Sequence, residues 1–168
     1  MKISVLYWIL KSMFSQIETL LTNNSNSCIT HANTLAFTNR QKAIHGEDLF
    51  WGVSTFLKHQ DLNTIFWKLL GVSEKTLEKY FENKYNRNTI IRNLQEAKEL
   101  PLSKKISQAL TKHIKKTTKT LDLDILFFVS FHDLSNQFTK HLYDHQIDAE
   151  TIVENYKKLN KNPLIIKM

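Results

Sequence analysis

Only 3 glycines and 2 prolines occur among the 168 residues of this chain, where average usage gives about 12 and 8. The tight turns of β-sandwiches and barrels, and the loops that cradle nucleotide phosphates, depend on residues that tolerate positive φ. A chain so poor in them reads as all-α. At 42% hydrophobic residues it carries enough apolar side chains for a core and too many to remain disordered. No stretch reaches the ~18 consecutive apolar residues of a membrane-spanning helix, so no membrane partner is expected.

Apolar residues recur at helical spacing almost end to end. Ile3 to Leu10, continued by Met13, Phe14, Ile17, Leu20 and Leu21, predict an amphipathic helix over 1–22 packed through Leu6, Leu10, Phe14 and Ile17; no A-x-A cleavage site follows it. Thr22 to Ser27 read as a polar break. A second stripe (Ile29, Ala32, Leu35, Ala36) ends near Arg40, and a third (Leu49, Phe50, Val53, Leu57) opens behind Gly46-Glu47-Asp48, whose acids suit the positive end of a helix dipole. The stripe Leu62, Ile65, Phe66, Leu69 and Leu70 closes at Gly71, and Ser73 opens a short helix through Phe81. Residues 83–100 read as a connector. Behind Ser103 run Ile106, Ala109, Leu110 and Ile114, and Asp122 to Phe131 fits a buried strand or a buried helix equally well.

An internal repeat favours the helix. At an offset of 77, Ile44-x-x-Glu47-x-Leu49-Phe50-Trp51 falls on Leu121-x-x-Asp124-x-Leu126-Phe127-Phe128, Ala32 falls on Ala109, and the capping pair Asn26-Ser27 falls on Ser103-Lys104. Ile65-x-x-x-Leu69-Leu70-Gly71-Val72 parallels Phe138-x-x-x-Leu142-Tyr143 and then Ile147. Two four-helix units are therefore expected, over 26–82 and 101–160, with 161–168 as a tail. One such unit alone is near the size where a core becomes marginal, so the pair should pack about a pseudo-twofold axis.

The order Ala32-x-x-x-Ala36, Ile44-x-x-Glu47-Asp48-Leu49-Phe50 and Leu69-Leu70-Gly71-Val72, repeated more loosely through Leu121-x-x-Asp124-Ile125-Leu126-Phe127, resembles the double Clp-N repeat, the amino-terminal domain of Clp-type unfoldases. The resemblance spans about 80% of the chain. It departs from the family pattern before the acids, where Gly46 and Leu123 replace Thr or Pro, and after them, where Asp48 and Ile125 replace His. The 168 residues contain no G-x-x-x-x-G-K-[ST], hence no ATP-hydrolysing module. The resemblance implies a non-enzymatic protein-recognition domain without a cofactor. Its partners would be Clp ATPase or peptidase subunits, adaptor proteins, and unfolded or arginine-phosphorylated clients.

Residue by residue, the resemblance places Glu47 and Asp124 on the guanidinium of a phosphorylated arginine, with Ser103 and Lys104 or Lys105 on its phosphate. Read from the residues alone, both acids complement helix dipoles, an effect of about 0.3–1 kcal/mol each. Lys104, Lys105, Lys112, Lys115, Lys116 and Lys119 share the face opposite Ile106, Leu110 and Ile114, which reads as a solvated face or as a dock for an acidic adaptor. Trp8, on the leading helix, is the aromatic placed to meet a partner, whereas Trp51 and Trp67 fall at core positions.

Two rivals belong to other classes. A net charge of +7 permits a basic helical nucleic-acid binder, although lysines without interleaved aromatics or arginines offer only non-specific attraction to phosphate. His141 and His145, four apart, permit a metal-dependent enzyme if a third ligand joins them. No metal is expected. Lone Cys28 reads as a core residue, excludes an internal disulfide and suits a reducing compartment, so a cytoplasmic protein is expected.

Overall fold

A computed structural model of the chain describes residues 21–85, 98–117 and 121–160. The leading helix up to residue 20 with Trp8, most of the connector, Lys119 and the tail 161–168 lie outside the described residues.

Eight α-helices are described: α1 (Asn23–Thr38), α2 (Gly46–His59), α3 (Asn63–Leu70), α4 (Glu74–Lys84), α5 (Lys104–Thr117), α6 (Leu123–Ser130), α7 (Asn136–Asp144) and α8 (Ala149–Asn160). A 3-10 turn, Phe131–Asp133, follows α6. No strand occurs among the described residues, which hold only two isolated bridges. The ambiguous run from Asp122 to Phe131 is thus helical, its Leu126, Phe127, Val129 and Ser130 buried.

The expected break at Thr22 to Ser27 is corrected. Thr22 is the N-cap of α1, its hydroxyl accepting from Ser25 N–H at 3.2 Å, and Asn26 and Ser27 lie inside the helix. Short polar side chains usually compete with helical hydrogen bonds. Here they are absorbed: Ser27 and Thr30 donate back to the carbonyls of Asn23 and Asn26, and Ser25 donates to Leu121 O at 2.6 Å. Gly71 closes α3 at φ +74°, a left-handed conformation that suits glycine. The helix α4 runs past Phe81 to Lys84, and the next residue, Tyr85, is fully buried.

Phe50 of α2 sits at the centre. Its ring lies 5.1–6.0 Å from those of Trp51, Phe66, Phe127, Phe131 and Phe138, so α2, α3, α6, the 3-10 turn and α7 meet in one apolar cluster. α2 packs against both α1 and α6. At its N-terminus the approach admits no side chain: a Cβ on Gly46 would stand 1.9 Å from Ser130 O at the end of α6. The start of α2 therefore faces the end of α6.

The bridges join segments that precede helices. Leu21, before α1, pairs with Leu121, before α6; Leu102, before α5, pairs with Ile44, before α2. The second bridge is held by Ile44 N–H to Pro101 O and Ser103 N–H to Ile44 O, both 2.8 Å. Later elements cross over in the same way. α8 lies on α3, with Asn155 Nδ2 donating to Leu69 O at 3.0 Å, and Tyr80 of α4 lies 4.9 Å from Phe138 of α7.

Candidate functional site

The first turn of α2 carries two adjacent acids, both buried. A helix start leaves free N–H groups and a positive dipole end, which favour carboxylates there. Asp48 Oδ2 accepts from the backbone N–H of His45 at 2.9 Å, returning to the residue before the helix as N3 acids do. Its Oδ1 accepts from Gln41 Nε2 at 3.0 Å and from the Tyr85 hydroxyl at 2.7 Å. Burial raises the Asp48 carboxyl above the usual range even against these hydrogen bonds and the nearby Lys84 charge. Burial together with the Asp48 charge pushes the Tyr85 phenol well up.

Glu47 points the other way around the helix. Only 2% exposed, it meets Lys84 Nζ at 2.5 Å and accepts from the Ser135 hydroxyl at 3.0 Å through Oε2. Its Oε1 has no hydrogen-bond partner among the described residues. Burial and the Glu47 charge raise the neighbouring Tyr80 phenol. The end of α4 thus closes over the start of α2, with Lys84 serving one acid and Tyr85 the other.

Asp124 occupies the corresponding turn of α6 and is half-buried, its Oδ1 accepting from Ile125 N–H at 2.9 Å. Because the start of α2 faces the end of α6, the two acids lie at opposite ends of that pair. Each acid lies three residues after a bridge residue that ties its segment to the other half, Ile44 to Leu102 and Leu121 to Leu21.

Ser103 stands beside the α2 start. It is buried, caps α5 by accepting from Ile106 N–H at 3.3 Å, and donates to Asp133 Oδ2 at 2.5 Å. The same oxygen lies 2.8 Å from His45 Nδ1. Ser103 is therefore committed to its own helix and to the 3-10 turn, while Lys104 and Lys105 next to it are exposed. Lys112, Lys115 and Lys116 are also exposed, opposite buried Ile106 and Leu110. No acid interrupts the helix from Lys104 to Thr117.

Trp51, Trp67 and Cys28 are buried. His141 and His145 approach each other, ring centroids 4.8 Å apart, but His141 also stacks on Tyr80. Among the described residues no group of three metal-ligating side chains forms, and no helix is long and apolar enough to cross a membrane. Sequence reasoning missed Tyr85, Lys84, Asp133 and Ser135. Only Asp48 was visible as a signal, an acid one residue after Glu47 that a single dipole does not require.

No family model, curated protein or solved structure matches this chain.

Proposed function

We propose that the chain is a protein-recognition domain of the double Clp-N type, binding unfolded clients or adaptor proteins and presenting them to a Clp-type ATPase. The observation that carries this reading is the reciprocal exchange between residues 21–85 and 98–160. The segment before each half's first helix bridges to the segment before the other half's second helix. Each half's fourth helix also reaches the other half's third: α8 packs on α3, and Tyr80 of α4 touches Phe138 and His141 of α7. Both halves also enter the fourth helix through one left-handed residue, one apolar residue and one capping residue, Gly71-Val72-Ser73 directly after α3 and Gln146-Ile147-Asp148 after one further residue, His145, that follows α7. Two copies of one unit packed about a pseudo-twofold axis account for all three patterns together.

Under this reading the exposed lysines of α5 attract acidic segments of an adaptor, and affinity is modest, as for transient interfaces burying under about 1,200 Å². At the Glu47 end an arginine-phosphate has to displace Lys84 and Ser135 from the carboxylate. The direct test is a binding titration of the purified chain with a permanently unfolded client, reduced and carboxymethylated lactalbumin, against the same protein in its native form. Saturable binding of the unfolded form alone supports the reading; equal binding of both, or of neither, overturns it.

A second reading rests on the unbroken exposed lysines of Lys104–Thr117, a basic face able to attract nucleic acid. It requires affinity for a DNA or RNA duplex that falls steeply with added salt and disappears in Lys112→Glu with Lys115→Glu and Lys116→Glu.

A further inference from the structure

A cleft of about 80 Å³ opens between α2, α3 and α4, walled by Trp51, Trp67 and Phe81 and rimmed by Glu74, Glu78 and Glu82. Trp51 and Phe81 face each other with ring centroids 4.9 Å apart. Both tryptophans are more than nine-tenths buried, yet neither indole N–H has an acceptor among the described residues. Buried indole donors are ordinarily paired, so two unpaired donors beside one cleft are hydrogen-bonding capacity that the described residues leave unfilled.

The rim is equally unexplained by folding. Glu74, Glu78 and Glu82 repeat every four residues on one face of α4, a spacing at which like charges destabilise a helix. Glu74 is bound by Lys58 at 2.8 Å, but Glu78 and Glu82 have no hydrogen-bond or ion-pair partner among the described residues. In a chain of net charge +7, the rim thus carries the Lys58–Glu74 pair and two further carboxylates over an aromatic cleft.

We propose that this cleft binds the side chain of an arginine in a partner peptide. Its planar guanidinium stacks against the indole walls and donates to Glu78 and Glu82. The volume suits one side-chain head group. The site lies wholly within α2–α4, so it stands whether or not the halves are repeats.

The probe is a short acetylated and amidated Ala-Arg-Ala peptide, titrated into Trp8→Phe protein so that fluorescence reports Trp51 and Trp67 alone. Saturable binding is expected, with both indole N–H resonances shifting in the nuclear magnetic resonance spectrum. Replacing arginine by uncharged, isosteric citrulline should weaken binding at least about tenfold, as should Glu78→Gln with Glu82→Gln on the protein. Both glutamates are exposed, and an unchanged circular dichroism melt verifies that this variant folds. Absence of saturable binding, equal binding of citrulline, or indifference to the double variant overturns the proposal.

Discussion

The first turns of α2 and α6 begin from the same grammar and end in different surroundings. Both place an acid two residues after the capping position, Glu47 after His45 and Asp124 after Asp122, ahead of Leu-Phe. Around α2 the chain folds an entire helix end over the turn, so Glu47 and Asp48 are enclosed by Lys84, Tyr85, Tyr80 and Ser135. Around α6 the turn stays half-open, with Leu123, Asp124 and Ile125 all partly exposed. A shared pattern of caps and apolar positions therefore specifies a helix start without specifying its electrostatic role. Glu47 is an interior ion-pair partner, and Asp124 is a partly exposed acid that accepts from the backbone N–H of Ile125.

The largest effects should come from breaking the buried side of this comparison. Glu47→Ala removes the buried carboxylate that pairs with Lys84 and should cost about 3 kcal/mol in a denaturant titration, whereas Asp124→Ala should cost under about 1 kcal/mol. Equal losses would show that the two turns are energetically alike. Gly46→Ala should cost about 3 kcal/mol, because its Cβ overlaps the Ser130 carbonyl and α2 must move off α6. The corresponding Leu123→Ala on the half-open turn should lose less, about 1–2 kcal/mol. Tyr85→Phe removes one charge-assisted hydrogen bond from Asp48 and should cost about 1.5–3 kcal/mol.

The smallest expected effect tests the packing of α1 on α2. His31 lies 5.0 Å from His59, and burial followed by that neighbour's charge lowers its pKa below the ordinary 6.5. The unfolded chain then holds the proton more tightly, so this contribution to stability is present at neutral pH and is lost as pH falls through 6.5 toward the depressed value. His31→Asn should flatten the fall in stability as pH drops below neutral through 6.5. A profile parallel to that of the unaltered chain would remove His31 from the account.

Most helix starts were legible because capping is local. Ser103, Asp122 and Asp148 each announce a helix beginning at the next residue. The start of α1 was misread because Asn23 to Ser27 looks like a turn, and only the distant Leu121 carbonyl reveals where the Ser25 hydroxyl goes. The offset of 77 aligns His45 with Asp122, but Thr22 and Ser103 stand 81 apart. The two halves therefore differ by about one helical turn before their second helices. Burial of Glu47, the partner of Asp48 and the acidic aromatic cleft had no sequence signal, since each joins helices formed from separate stretches.

What the amino-acid order determined alone is the helical class: hydrogen bonds from residue i to i−4, the 3.6-residue apolar period and the scarcity of glycine and proline act within a few positions. What only the tertiary structure decided is which polar side chains become interior. Tyr85 meets Asp48 across 37 residues and Ser135 meets Glu47 across 88. The free energy of a charge depends on the atoms packed around it, and those atoms arrive only when distant helices dock.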